Sequence, residues 1–470
     1  MFLALAGLSC HLTQRGTEGP GGDRKPNIIV IFIDDLGYGD LEPFGSAQNK
    51  MPRLDRMAAE GIKFTSFYSA APVCSPSRAA LMTGCYPKRV GLAAGSNSRT
   101  VLWPKDTMGL NPDEKTLAEI LREAGYATGC FGKWHLGDQP AFLPGQQGFD
   151  TYFGIPYSND MWLHHPRAEE WNFSRLPLLR DHQVVGEVET MADQSDLCRR
   201  FTEAAIDFIR EHQDRPFFVY LPHAFVHVPR NARPAFLRRA GVTEPLDEEQ
   251  MAVDIHYFEQ ARARAQIEEV DWSAGRILDT VRELGLAEHT VVIFTSDNGG
   301  DKGCSNAPLR GHKGTTWEGG MRVPAIAWWP GRIAAGGVCD ELATTMDLLP
   351  TLAALAGGSV PEGRVIDGQD IRGLLFGQPG AASPHESFFY YSGNELKAVR
   401  SGAWKLHTNG ALYDLEEDIG ESRDVAASHP DVAARLRGYL DQADRDLGCE
   451  ANCRPAGEVS EPEFLLPIAR

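Results

Sequence analysis

Two things are scarce in this chain: a long apolar segment and an excess of positive charge. The first residues, Met1 to Leu8, form an apolar run, but it is too short to span a bilayer. Basic residues number 46 against 64 acidic ones, for a net charge of −18. A nucleic-acid binder needs a basic face, so that class is set aside, and an anionic substrate would need a local basic cluster within an acidic exterior. Cysteine is sparse too. Nine are scattered over 470 residues, and no second pair of ligands stands near any of them to complete a zinc motif. Cys449 and Cys453, four apart, are the one expected pairing. No internal repeat is visible.

At 470 residues and 42% hydrophobic composition, the chain is globular and too long for one small core. Residues 1–24 read as a leader and polar, Gly-rich linker, disordered or cleaved. Residues 25–380 read as a catalytic domain, and residues 381–470 as a C-terminal subdomain. The start of the chain favours an extracytoplasmic location, whether periplasmic, secreted or anchored by lipid at Cys10, and a cytoplasmic one stays open. The Asn172-Phe-Ser sequon matters only in a glycosylating compartment. Oligomeric state is open.

The stretch around which the chain is organised is Cys74-Ser75-Pro76-Ser77-Arg78. Ser75 is expected as N-cap, Pro76 as the first helical residue and Gly84 as the stop. A helix mouth favours anions, so Cys74 stands where a nucleophile would meet one, and Arg78 can supply a planar fork of donors. Taken alone, the string equally describes a capped helix with a buried cysteine.

Unbroken apolar runs mark strands covered on both faces. Asn27 to Ile33 ends in Asp34 and Asp35. A run from Tyr126 to Phe131 leads into Lys133 and His135, which share a side if the extended geometry continues. Phe217 to Leu221 leads to His223 and His227. Thr290 to Ser296 ends in Asp297 and Asn298. Further strands are expected at Ala325 to Trp329 and, late in the chain, at 387–391, 397–400, 404–407 and 411–415. Helices are expected after Met51, at 116–124, around 197–209, from about 249 to 284, and at 347–356 and 431–447. Gly148 to Asp160, containing Ser158, reads as a loop that roofs a pocket. Helices alternating with strands argue for an α/β protein. Its large, mixed but mostly parallel sheet is sandwiched by helices, and a smaller antiparallel sheet plus helix follows at the C-terminus.

Ligands in such sheets bind beyond the carboxyl ends of strands. Asp34, Asp35, Asp297 and Asn298 form an oxygen-only set suited to Ca²⁺ or Mg²⁺ rather than zinc. Arg78, Lys133 and Lys313, with His135 and His227, would hold an anionic tetrahedral ester. Each group has a plainer reading: Asp34-Asp35 as a helix-capping pair, Lys133 beside a core histidine, Lys313 on an exposed turn.

Cys74-x-Pro76-x-Arg78 with Leu81, Thr83 and Gly84 resembles the signature of the type I sulfatases, members of the alkaline phosphatase superfamily. Gly-Lys-Trp-His at 132–135, Asp-Asn-Gly at 297–299 and Lys-Gly-Thr-Thr-Trp-Glu-Gly-Gly at 313–320 agree, and the resemblance runs from Asn27 to Leu415. It implies that Cys74 is converted by a formylglycine-generating enzyme to Cα-formylglycine. It also implies that Asp34, Asp35, Asp297 and Asn298 bind Ca²⁺ with residue 74 as a further ligand. By the same resemblance Arg78 and Lys133 steady formylglycine and sulfate, Lys313 binds sulfate, Ser158 binds substrate, and His227 contacts the leaving oxygen with His223 a neighbour. The implied reaction is double displacement through a covalent sulfate ester, with a proton delivered by His227 or Lys313 and removed by His135. The substrate would be an aryl sulfate or a sulfated saccharide. Leu412 to Leu415 is followed by Glu-Glu-Asp-Ile where the family has Asp-Pro. Trp162 to Glu189 matches no family pattern, and substrate choice is expected there. The alternatives are a phosphonate monoester or phosphodiester hydrolase of the same superfamily, and a calcium-bound protein that binds sulfated glycans without turnover.

Overall fold

A computed structural model describes residues 24–244, 246–253, 260–463 and 465. The strands that set the architecture are β1 (Asn27–Ile33), β2 (Ile62–Tyr68), the two-residue β3 (Met108–Gly109), β4 (Ala127–Lys133), β5 (Thr151–Ile155), β6 (Leu176–Arg180), β7 (Gln183–Val188), β8 (Phe217–Pro222), β9 (Thr290–Ser296), β10 (Arg322–Trp328), β11 (Gly337–Cys339) and β12 (Ala343–Thr344). All but β3 join one sheet in the order β11-β2-β10-β9-β1-β8-β4-β5-β6-β7, with β12 also on β2. The middle of the sheet, β9-β1-β8-β4-β5, is parallel throughout. Strand β10 runs antiparallel between β9 and β2, and β5-β6-β7 close the other edge antiparallel.

The apolar run of β1 is explained by its position. Ile29, Ile31 and Ile33 pack on one face of the sheet, and Ile28, Val30 and Phe32 on the other, as the two-residue period of a strand requires. The first face is covered by helices Pro52–Glu60, Met191–Glu211 and Gln260–Glu283 through Leu54, Phe201 and Val270. The second is covered by Cys74–Thr83, Leu117–Glu123 and Leu348–Leu355 through Leu81, Leu121 and Leu352. Helix Leu117–Glu123 starts where its capping box predicts. Thr116 Oγ1 accepts from the Glu119 amide, and Glu119 accepts from the Thr116 amide.

Several expectations need correction. The Cys74 helix begins two residues earlier than its sequence suggests: Val73 is the N-cap, Cys74 the first helical residue, and Ser75 Oγ instead accepts from the Leu102 amide. Gly84 does end that helix, in the left-handed conformation (φ 67°) that glycine adopts without a Cβ clash. The supposed loop at Gly148 to Asp160 contains β5, hidden by its flanking glycines and Pro156. Strand β2 and the β6–β7 hairpin had no assignment from sequence. Cys449 and Cys453 are both free thiols. The stretch from 249 to 284 contains two helices, Glu248–Val253 and Gln260–Glu283, and residues 254–259 lie outside the described residues.

A second sheet, β13 (Phe388–Ser392), β14 (Glu395–Ser401), β15 (Trp404–His407) and β16 (Leu412–Asp414), is antiparallel in that order, with helix Pro430–Asp446 against it. The chain then returns, and β17 (Gly457–Glu458) pairs with β3. The two sheets meet at a buried ion cluster. Glu318 accepts from Tyr68 (2.5 Å), Tyr390 (2.7 Å) and Lys405 (3.0 Å). Lys405 also pairs with Glu421 at 2.8 Å, and Arg400 donates to Tyr68. The glutamate of the Lys313–Gly320 motif is thus a structural anchor for the second sheet.

Candidate active site

Strands β1 and β9 are in register from Asn27↔Thr290 to Ile33↔Ser296. The next residues of each, Asp34 and Asp297, therefore emerge level at the carboxyl end of the sheet. Asp35 turns sharply after them at φ 62°, a conformation that aspartate tolerates better than most residues. Asn298 Nδ2 donates to Asp35 Oδ1 at 2.8 Å. Behind it Gly299 passes the 319–320 backbone so closely that a Cβ there would lie 1.8 Å from the Gly319 carbonyl oxygen. Asp-Asn-Gly and Glu-Gly-Gly thus fit each other backbone to backbone.

Helix Cys74–Thr83 aims its first residue at this acidic corner. Single ligand atoms of Asp34, Cys74 and Asp297 lie within 4.8 Å of one another, as do those of Asp34, Asp35 and His227. The cations close in from other elements. Arg78, one turn into the helix, pairs with Asp297 at 2.8 Å and Asp34 at 3.4 Å, and also donates to the Lys133 carbonyl at 2.8 Å. Lys133, the last residue of β4, reaches Asp34 at 2.5 Å and Ser158 Oγ at 2.9 Å. Lys313 reaches Asp35 at 2.8 Å.

The two histidines differ. His135 does not continue the strand: its φ is 56°, so it does not share a side with Lys133 by simple alternation. Its Nε2 lies 2.9 Å from the Leu102 carbonyl, which fixes the proton there and leaves Nδ1 a buried, unpartnered acceptor. Burial first, then Lys133 and Arg78, hold its pKa well below the ordinary imidazole value, so the ring is neutral. His227 has Nδ1 against the Val228 carbonyl at 2.8 Å and turns Nε2 toward Asp35, 3.7 Å away. His223 is not brought into the cluster. Its ring is buried against Ser273 Oγ at 2.9 Å.

The electrostatics are set by burial and by charges packed within a few ångströms. Burial would raise the Asp34 carboxyl, but Lys133, His227, Arg78 and Lys313 overcome it and hold it far below the carboxylate range. Asp297 is pushed up to about 7 by burial and by the neighbouring Asp34 charge. Burial likewise lifts the Cys74 thiol to about 11 despite Lys133 and Lys313. Oδ1 of Asp34 and Oδ1 of Asn298 are buried with no hydrogen-bond partner among the described residues. Buried acceptors left without a partner are costly unless something binds them. A hard divalent ion fits that oxygen set.

One residue escaped the sequence reading. Asp160 sits two positions after Ser158, and its Oδ1 is 3.9 Å from His227 Nδ1. Proximity to Ser158 was the only available signal, because the contact partner is almost seventy residues away.

Comparison with known proteins agrees with this geometry. A sulfatase family profile matches residues 26–359. N-acetylgalactosamine-6-sulfatase of Canis lupus familiaris is 39% identical over 412 residues, covering 84% of this chain and 74% of that protein. Arylsulfatase A of Homo sapiens is 38% identical over 470 residues, covering 88% and 87%. The solved structure of Ps i-CgsB in complex with k-i-k-neocarrahexaose superposes with a TM-score of 0.75 at 29% identity, over 89% of this chain and 92% of that one. Among the described residues no helix is long and apolar enough to cross a membrane.

Proposed function

The chain belongs to the sulfatase family and is a hydrolase of sulfate esters; from that premise we propose that it acts through a Cα-formylglycine at position 74 beside a Ca²⁺ or Mg²⁺ ion. Asp34, Asp35, Asp297 and Asn298 would hold the ion, with residue 74 adjoining. Ion and formylglycine together would supply an acidified hydroxyl nucleophile at neutral pH. The observation that carries the reading is the pair of orphaned acceptors, Asp34 Oδ1 and Asn298 Oδ1, at a corner where Cys74 is the first residue of a helix.

The chain's own residues divide the remaining work. Arg78, Lys133 and Lys313 bind the sulfuryl oxygens and offset the charge that develops on them. Ser158 accepts from Lys133 and so fixes where that ammonium points. His227 presents Nε2 to the leaving oxygen and supplies its proton. His135, neutral and with Nδ1 unpartnered, takes a proton when sulfate is expelled. Burial of nearly all these side chains keeps water away from the acid–base pair. A sulfated saccharide or aryl sulfate is the substrate class, in keeping with the names of the relatives.

Intact-mass analysis of protein co-expressed with a formylglycine-generating enzyme tests the nucleophile, since an aldehyde is lighter than the thiol it replaces. Sulfate release from 4-nitrophenyl sulfate, compared with turnover of an aryl phosphodiester, tests the reaction. An unmodified thiol in a fully active preparation, or faster phosphodiester than sulfate turnover, overturns the proposal.

A further inference from the structure

Resting on the sulfatase reading, the geometry points to Asp160 as a specificity-determining residue that accepts a hydrogen bond from a hydroxyl beside the sulfate ester, which makes the leaving group a polyol such as a sugar ring.

Asp160 Oδ1 lies 3.9 Å from Nδ1 of His227, the histidine whose other nitrogen turns toward Asp35 and is proposed above to serve the leaving oxygen. That oxygen atom is buried with no hydrogen-bond donor among the described residues, yet 19% of the side chain faces out. An ionised carboxylate accepts hydrogen bonds and donates none. Placed one imidazole away from the departing alcohol, it complements a neighbouring O–H and repels a second sulfate. An aryl or steroid leaving group has no hydroxyl there and would leave Oδ1 without a donor, although His227, Lys133 and Ser158 act on the carboxylate as a whole. Buried polar atoms left unpaired are a strong source of discrimination between substrates.

The surroundings agree. Asn159, next in the chain, is clamped by Gln194 and the Val228 carbonyl, so the position of Asp160 is set by two elements rather than by a free loop. His165 is close enough to act on the Asp160 charge, and its ring packs 4.7 Å from Trp171. Trp171 packs 4.9 Å from Trp103, and both are partly exposed. Trp103 follows Leu102, whose carbonyl holds His135. The rings of His165, Trp171 and Trp103 thus pack in a row that ends next in sequence to the Leu102 carbonyl holding His135. Apolar faces with a few placed polar groups are the usual lining of a small-molecule site. The row draws on 162–189, the stretch without family counterpart.

The test uses matured enzyme and sulfate release. Wild type is assayed with 4-nitrophenyl sulfate, with a panel of methyl glucoside and methyl galactoside monosulfates, and with deoxy analogues of the best of these that lack the hydroxyl next to the ester. We expect the deoxy change to lower kcat/KM by about 10- to 100-fold in wild type, as for loss of a hydrogen bond to a charged group. In Asp160→Asn the penalty should shrink to less than about tenfold, because the neutral amide oxygen is a weaker acceptor than the carboxylate and the two changes act on the same interaction. The Asn variant should also shift the sugar-to-aryl ratio of kcat/KM toward the aryl sulfate. A deoxy penalty of the same size in wild type and variant overturns the inference, and so does equal loss on both substrate classes, which would make Asp160 a positioning residue for His227. Wild-type turnover of the aryl sulfate but of no sugar sulfate also overturns it, with the sulfatase reading intact. Turnover of neither fails that reading itself. Thermal melting of Asp160→Asn, and the same ratio measured in Asp160→Ser, separate misfolding from lost recognition.

Discussion

Two clusters of charge are buried in this protein, and they resolve in opposite ways. Around Glu318, each charge has a partner. Tyr68, Tyr390, Lys405 and Arg322 surround the carboxylate, Glu421 takes the second side of Lys405, and no fully buried side-chain nitrogen or oxygen of these residues is left without a hydrogen bond among the described residues. At the carboxyl end of β1 and β9, three acids meet three cations, yet Asp34 Oδ1, Asn298 Oδ1 and His135 Nδ1 remain unpartnered. The first cluster is complete and joins two sheets. The second is complete only with something added. Charge and burial alone do not distinguish a joint from an active site; here the difference is unpaired acceptors of two adjoining strand ends beside a helix-mouth cysteine.

The sharpest way to break this contrast is Cys74→Ala. Removing the nucleophile should lower sulfate release on the order of 10⁴-fold or more, as for other covalent catalysts, with far-UV circular dichroism unchanged. Normal turnover by this variant would sink the assignment. At the other cluster, Lys405→Met strips a buried carboxylate of its partner and should destabilise the protein by about 3–5 kcal/mol in urea unfolding, with the folded fraction still active. A loss under about 1 kcal/mol would mean that the joint is not an ion pair in its energetics.

Acid sharpens the difference further. Burial opposes ionisation of Glu318, but Lys405, Arg322, Arg400 and Tyr68 outweigh it and hold the carboxyl at about 2, below its ordinary 4.5. The folded state therefore binds the proton less readily than the unfolded one. The stabilisation is complete above pH 4.5 and drains away as pH falls toward 2, by up to about 3 kcal/mol. Glu318→Gln should flatten the stability profile in that window, and an unchanged slope would assign acid sensitivity elsewhere. The smallest effect on stability is expected from chelation. Stripping the divalent ion should abolish turnover reversibly and lower unfolding free energy by about 2.7 kcal/mol relative to protein in hundredfold excess of ion over its Kd. Asp297→Ala should show no such shift on adding Ca²⁺, and an undiminished response would remove Asp297 from the ion site.

What could be read in advance follows from sheet physics. A central parallel strand is apolar on both faces, so its end is conspicuous, and a carboxylate just beyond is conspicuous too. That is why Asp34, Asp35, Asp297 and Asn298 stood out. Strand β5 did not, because Gly154 and Pro156 break its pattern while its neighbours supply the pairing. The Cys74 helix was assigned a Ser75 cap on local preference, but Ser75 is engaged by Leu102 across the fold. His223 and His227 looked alike, four residues apart after one strand, yet one turns to Ser273 and the other to Asp35.

By itself, then, the sequence determined that β1, β4, β8 and β9 are buried strands, which reactive side chains lie at their ends, and through the Cys74 string the family. Periodicity and composition act over a few residues, and those features are local. The tertiary structure alone decided which acceptors stay unpaired, that Glu318 anchors a joint, and that Asp160 stands behind His227. Each of these depends on residues tens to hundreds of positions apart being held a few ångströms from one another, and only packing fixes such distances.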